Sequence, residues 1–322
     1  MAALGKSYKS IAKKKQKFSL NRKTGNLIFY TLMMALPVIQ FVIMYIGVNA
    51  NSILLSLKEY NLDTGTYDWM GFQNFVEAFE EIATADFLKI VGNSLVLFLV
   101  NIGIGLPLGI AFSFYIFKGF SGNKFFRVAL YLPCIVSSIV MVTIYNSIME
   151  MALPEIIEKL TGDKPLGFVT NPDTTRTSLI IYSLFFSFGS TTMILSSSMS
   201  AINTSVLEAS QLDGCNLFQE FFYIVFPLSF NVIKLQLIAS LVGIFTSQME
   251  LYTFFGTDAY PKDWTLGYYL YREILFHGSK EYPYYAAMGL LFSAVAIPIV
   301  MSFRALFDRL DPAVERKGKE GR

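Results

Sequence analysis

The chain is poor in charge, in histidine and in cysteine. Asp, Glu, Lys and Arg make up only 16% of its 322 residues, against roughly 25% in ordinary soluble domains. A single histidine, His277, rules out a histidine-based metal site and any Ser–His pair inside an apolar run. The two cysteines, Cys134 and Cys215, fall in segments that the charge pattern places on the inner side, so no disulfide is expected. A glycine-rich phosphate loop ending in Lys-Ser or Lys-Thr is also missing; the nearest stretch, "GFSGNK" (119–124), has the wrong spacing. The chain is therefore expected to be no enzyme and to bind no cofactor or metal. Any ATP-driven work must draw its energy from another polypeptide.

Hydrophobic residues are abundant, at 53%, and 16% of the chain is aromatic. The sparse charges fall in blocks between six nearly uncharged runs, at about 27–49, 90–117, 128–149, 178–200, 228–249 and 284–303. Each run has the ~20 residues that a helix needs to cross a hydrocarbon core. The expected fold is all-α: a polytopic membrane protein with six transmembrane helices.

Lys and Arg set the orientation. Residues 1–26 carry eight bases and no acid, 118–127 adds Lys118, Lys124 and Arg127, and the tail from Arg304 onward has six bases. The alternate segments 50–89, 150–177 and 250–283 hold eight bases and seventeen acids. Both termini are expected in the cytoplasm. The chain then divides into a basic tail (1–26), a first span with an outer interfacial segment (27–89), a core of five spans with a cytoplasmic elbow at about 201–227 (90–303), and a C-terminal tail (304–322). A cleaved signal peptide is the alternative for the first run, but the run and its basic lead are longer than a usual signal. Beside a membrane span the basic tails read as topology signals that touch anionic lipid, not as nucleic-acid arms.

The elbow, "LEASQLDGCNLFQEFFYIVFP" (207–227), contains three acids and no base. Ser205 with Glu208 suggests a capping box for a first short helix ending near Asp213, with Gly214 as its left-handed stop. Asn216 with Gln219 suggests a second start, and Pro227 a bend into the fifth run. In the second helix Leu217, Phe218, Phe221, Phe222 and Val225 form an apolar side, with Gln219, Glu220 and Tyr223 opposite. A helix lying on the inner leaflet is one reading, yet such helices usually carry Lys and Arg. The other is a knob that docks in a groove on a cytoplasmic partner.

The same segment resembles the "EAA" loop of permease subunits in binding-protein-dependent ABC importers. That pattern is Glu-Ala-Ala, three residues, Gly, nine residues, then Ile-x-Leu-Pro. Here it is met by Glu208-Ala209-Ser210, Gly214 and Ile224-Val225-Phe226-Pro227, with Asp213 before the glycine. Ser210 and Phe226 depart from it. "GFQNFVEAF" (71–79), "NSLVLFLVNIGIGLPLGIAFSFYI" (93–116) and "FFRVALYLPCIVSS" (125–138) are similar to the carbohydrate-uptake branch, which includes maltose and glycerol-phosphate permeases. The resemblance covers about 70–305. It implies a permease fold of the type I ABC importer kind in a bacterial inner or plasma membrane. It further implies a second, related but distinct permease chain, two cytoplasmic ATPases that use ATP and Mg, and an external solute-binding protein. Glu208, Ala209, Ser210, Asp213, Gly214, Phe218, Ile224 and Pro227 would then couple the chain to the ATPase.

For the solute, the fifth run carries a polar stripe of Ser229, Gln236, Ser240, Gly243, Ser247 and Glu250. Polar groups in hydrocarbon must face protein or water, although Ser and Gly also serve close helix packing. Ser183, Ser187, Ser190 and Ser197 add a weaker series on the fourth run, and Tyr145, Tyr182 and Tyr252 are candidates for stacking on a sugar ring. Lys234 is expected to snorkel back to the inner surface. Pro37, Pro107, Pro133 and Pro298 are expected to kink or end helices. Outside, a helix presenting Phe72, Phe75, Val76 and Phe79 and a second over 265–275 are expected at the membrane interface, with Trp69 and Trp264 as anchors. No outer segment has the length of a large extra domain, so solute capture is left to a separate protein. An ABC permease for a peptide or amino acid shares the elbow. A secondary transporter is less well matched, because there are few membrane-embedded charged groups for ion coupling: Lys234 in the fifth run and Glu250 just past its other end.

Overall fold

In the computed structural model, residues 22–311 are described; most of both basic tails, 1–21 and 312–322, lie outside the described residues. The chain separates into two compact units, one ending at Leu55 and the other beginning at Ser56. Six helices are long and apolar enough to cross a membrane: Lys23–Leu55, Ala85–Phe117, Ser138–Thr161, Thr175–Ser200, Leu217–Thr246 and Tyr282–Arg309. They are numbered spans one to six below. The sheet content among the described residues is one hairpin, Lys58–Tyr60 against Tyr67–Trp69.

The boundaries differ from the hydropathy runs mainly where proline intervenes. Proline lacks an N–H, and its ring presses on the carbonyl one turn back, so an α-turn cannot close around it. Three times the chain answers with one wider π-helical turn, and the helix then continues. Asn101–Gly105 precedes Pro107, Ile148–Ala152 precedes Pro154, and Phe221–Val225 precedes Pro227. The expected bend at Pro227 is thus corrected: span five begins at Leu217, ten residues earlier, and the second half of the elbow is its own first turns. Pro133 behaves differently. The helix Asn123–Ile135 ends just beyond it, Val136 is extended, and span three starts afresh at Ser138. The run at 128–149 therefore joins two helices, because an apolar extended residue leaves no mark on hydropathy.

Within the second unit, the loops remote from the elbow interlock. The Asn93 amide, near the start of span two, donates to the carbonyls of Lys262 (2.8 Å) and Trp264 (2.9 Å), and Ser94 Oγ accepts the Leu266 N–H at 2.9 Å. Glu81 accepts the hydroxyls of Tyr269 and Tyr284. Burial, reinforced by that carboxylate, holds the Tyr269 hydroxyl protonated far above its usual range. Glu150 accepts the N–H groups of Val169 and Thr170, which closes the loop after span three.

Two expectations for this end are resolved differently. The helix Gln73–Ile82 forms as anticipated, with Phe72, Val76 and Phe79 exposed while Ala78 packs inward and Asn74 donates to the carbonyls of Ser56 and Lys58. The helix Leu266–His277 buries one face, with Leu266, Gly267, Tyr268, Tyr269 and Glu273 turned inward, and leaves Tyr271, Leu275 and Phe276 exposed on the other. Tyr269 packs in a core with Phe87, Leu241 and Phe292, and Tyr268 in a second one with Leu97, Leu179 and Leu251. Trp264 is no belt anchor, since its indole N–H donates to the Ala259 carbonyl and the Arg272 guanidinium lies 4.8 Å above its ring.

Gly267 marks the closest approach in this region. A Cβ there would stand 2.5 Å from the carbonyl of Thr246 and 2.8 Å from that of Ser247, both backbone. Gly289 on span six has open space. Gly267→Val is therefore expected to destabilise the detergent-solubilised protein by roughly 1–3 kcal/mol. Gly289→Ala is expected to change stability by no more than about 0.5 kcal/mol. Thermal unfolding of the two variants side by side checks both.

Candidate functional site

The elbow is built from two short helical pieces. The first, Thr204–Leu212, is capped by Asn203, whose side chain accepts the Ser205 N–H at 3.0 Å. Ser205 is thus inside the helix and the expected Ser205–Glu208 box is not used; Asn203 competes better because it already sits in extended backbone. Asp213 ends the helix and Gly214 takes φ +78°, a conformation that a side chain disfavours. The second start is as expected, with Asn216 and Gln219 exchanging hydrogen bonds of 2.9 Å in both directions.

Side-chain placement divides the predicted coupling residues. Glu208, Ala209, Asp213, Gly214 and Phe218 are exposed, Ser210 is buried with its hydroxyl on the Leu207 carbonyl, and Ile224 and Pro227 are half-buried. Leu212 is 90% exposed and Phe218 77%. The anticipated sides of the second helix are partly reversed. Glu220 points inward and is buried against Lys118, while Phe222 points out and Phe221 packs on Phe114 with ring centroids 4.9 Å apart. Periodicity misled here because apolar residues run nearly all the way round this turn.

Span five leads from the elbow into a cleft of about 280 Å³ between spans two, four and five. Ser94 and Asn101 line it from span two, Ser183, Ser187, Ser190 and Thr191 from span four, Gln236, Ser240 and Gly243 from span five, and Ser247 from just beyond that span. Four predicted pathway residues, Ser190, Gln236, Ser240 and Ser247, are thereby brought together. Ser190 and Ser240 donate to carbonyls of their own helices, Ser187 and Gln236. Each hydroxyl still has lone pairs to offer. The Gln236 amide reaches Thr191 Oγ1 at 3.3 Å and links spans four and five. Asn101 Oδ1 is buried without a hydrogen-bond donor.

Glu250 and Tyr252 are elsewhere. The span-five helix ends at Thr246, Ser247 is extended, and Met249 and Glu250 both have left-handed backbone, with φ of +51° and +55°. Such conformations in non-glycine residues carry strain and interrupt any stripe based on helical period. The Glu250 carboxylate accepts the Thr253 hydroxyl at 2.7 Å, in the first turn of Leu251–Phe255. Tyr252 stands edge-on to Tyr271, and Ser229 is buried outside the cleft. Tyr145 and Tyr182 pack on each other and on Phe254, beside the cleft and not in its lining; Phe98 is the aromatic that lines it.

Three further contacts escaped sequence reasoning. Asn101, an amide inside an apolar run, was visible as a costly polar residue. The Lys118–Glu220 pair was not, because its members are 102 positions apart. Lys234, expected to reach the inner surface, does so onto partners that spacing did not reveal: its ammonium pairs with Asp308 at 2.7 Å at the end of span six, with Asp311 at 3.9 Å.

Comparison with known proteins gives a consistent outcome. Residues 102–316 match the family described as "Binding-protein-dependent transport system inner membrane component". The maltose/maltodextrin transport system permease protein MalF of Shigella flexneri is 29% identical over 257 residues, covering 74% of this chain and 50% of that protein. The polygalacturonan/rhamnogalacturonan transport system permease protein YteP of Bacillus subtilis is 24% identical over 305 residues, covering 91% of this chain and 89% of the relative. The chain thus spans about half the length of the maltose relatives that it matches. Among solved structures, a bacterial ABC transporter involved in alginate import contains a chain with TM-score 0.68 and 22% identity, over 87% of this chain and 96% of that one. That likeness shows the fold, the helical permease fold of ABC importers. With two-thirds of its length matched and six membrane-crossing helices, the chain belongs to the inner-membrane components of binding-protein-dependent transport systems, and is a multi-pass membrane protein.

Proposed function

We propose that this chain is one permease half of an ATP-driven importer for a sugar or oligosaccharide, with its elbow engaging a cytoplasmic ATPase. One observation carries the reading: the second half of the exposed elbow, from Leu217 onward, is continuous through the π-turn at Phe221–Val225 with the helix that forms one wall of the polar cleft. A push on the elbow reaches Gln236 and Ser240 along a helix without a break. Exposed Leu212 and Phe218 suit a groove on a folded partner better than water. Glu208, Ala209, Ser210, Asp213, Ile224 and Pro227 shape that knob. The distribution of basic segments supports a cytoplasmic elbow end.

The cleft lining supports a polyhydroxylated solute. It offers hydroxyls and amides with no charged group, and Phe98 adds an apolar surface for a sugar ring. Its volume lies just below the roughly 300–1,000 Å³ of complete ligand sites, as expected of one wall of a passage completed by a second permease. Saccharides stand in the names of the relatives, and a second alginate transporter structure of the same fold is described in complex with a ligand-bound periplasmic protein. An external binding protein is the corresponding partner here. ATP and Mg would be used by the ATPase subunits, and this chain would be the passive conduit.

Affinity purification of the chain from native membranes in mild detergent, with mass spectrometry of what accompanies it, tests the assembly. A second six-span chain and an ATPase are expected; a homo-oligomer without an ATPase would favour a secondary transporter. Gly214→Asp is expected to stay in the membrane and lose the ATPase. No atom stands within 4 Å of a Cβ at this position, so the substitution strains the turn without a clash, at roughly 1–2 kcal/mol. Full retention of the ATPase by this variant would remove the docking role of the elbow.

The cleft makes its own prediction. After Cys134 and Cys215 are replaced by serine, Ser187→Cys and Ser240→Cys should react with a small water-soluble maleimide far faster than Ser229→Cys, which is buried away from the cleft. Equal rates at all three sites would mean that the cleft holds no aqueous path.

A further inference from the structure

We propose that Lys118 is a positioning residue that makes span two follow the elbow, so that two walls of the cleft move together. The proposal rests on the importer reading above. Lys118 lies at the C-terminal end of span two, and its backbone N–H donates to the Phe114 carbonyl at 2.9 Å. Its ammonium sits 3.0 Å and 2.9 Å from the two carboxylate oxygens of Glu220, in the first turn of span five. The Lys118 side chain is 18% exposed and that of Glu220 only 4%. The neighbouring bases Lys124 and Arg127 and the other elbow acids Glu208 and Asp213 are all exposed.

A buried ion pair is a poor source of net stability, because desolvation offsets most of the attraction. It is a good source of registration. If the two helix ends slide apart, each leaves a buried charge without its partner, an outcome costlier than the loss of an apolar contact. The Phe114–Phe221 ring contact beside the pair closes the joint. Farther along span two, a Cβ on Gly109 would approach Thr191 Cγ2 to 2.7 Å, so spans two and four also meet without slack. A displacement entering at Leu217–Glu220 is then passed to Asn101 as well as to Gln236 and Ser240. Without the pair, span five would carry the stroke alone and the span-two wall would lag.

The test uses the complete transporter, with both permeases, the ATPases and the binding protein, in proteoliposomes and with Cys134 and Cys215 replaced by serine. Single cysteines at Asn101→Cys on span two and Ser240→Cys on span five are labelled with a small water-soluble maleimide, without nucleotide and with MgATP plus vanadate. With Lys118 intact, both sites should change labelling rate with nucleotide. In Lys118→Met the response at Asn101→Cys should fall by roughly fivefold or more, as expected for loss of one coupling interaction, while that at Ser240→Cys persists. The exchanged pair Lys118→Glu with Glu220→Lys should restore it. An unchanged response at Asn101→Cys in Lys118→Met, or an equal loss at both sites, would overturn the proposal. If Lys118→Met fails to assemble, the exchanged pair decides, since a normal Ser240→Cys response beside a silent Asn101→Cys would overturn it equally. A transporter with Lys118 intact and no nucleotide response at either site would instead count against the importer reading.

Discussion

Inside a bilayer there is no water to take up a backbone N–H or carbonyl that loses its partner, and each such loss costs several kcal/mol. A membrane helix must therefore stay hydrogen-bonded through every residue that would break it in water. This chain meets the requirement at Pro107, Pro154 and Pro227 with a single π-turn before each, in place of a kink left open. The rest of the second unit depends on that continuity. Because span five is unbroken from Leu217 to Thr246, a surface knob and the wall of a polar cleft are two ends of one rod.

The rod is held differently at its two ends. At the elbow end the ties are electrostatic: Glu220 to Lys118 on span two, and Lys234 to Asp308 on span six. At the far end span five stops at Thr246, where a close backbone approach at Gly267 and the buried aromatics of Leu266–His277 fix it. Charge pairs tolerate small rotations and oppose sliding, whereas close backbone packing opposes both. The left-handed pair Met249–Glu250 lies just past the anchor and takes up the change of direction.

Function and chemistry separate along the same axis. The elbow offers exposed apolar side chains and a glycine turn, features that suit a protein groove. The cleft offers hydroxyls already bonded to their own helices that keep lone pairs free, with the amides of Asn101 and Gln236 beside them. On the function proposed above, such a lining would exchange hydrogen bonds with a passing hydroxylated solute without holding it tightly.

Composition and hydropathy were enough for the class of protein, since six apolar runs and few charges leave few other solutions. Residue-level spacing was enough for the family and for the elbow, because Glu208, Gly214 and Pro227 act locally and keep fixed distances along the chain. Spacing also found the span-five half of the cleft, where Gln236, Ser240 and Gly243 share one helical face and Ser247 follows just past the helix end. It failed at Glu250, where two left-handed residues ended the period, and at Glu220, whose inward turn follows from a lysine more than a hundred positions away. At Leu266–His277 spacing did not show that one face is buried by neighbours from three other segments. Local sequence determines what a helix is and where its caps and turns fall, because those forces act within a few residues. Which face meets which neighbour was decided by the tertiary structure alone, because burial and charge pairing join residues far apart in the chain.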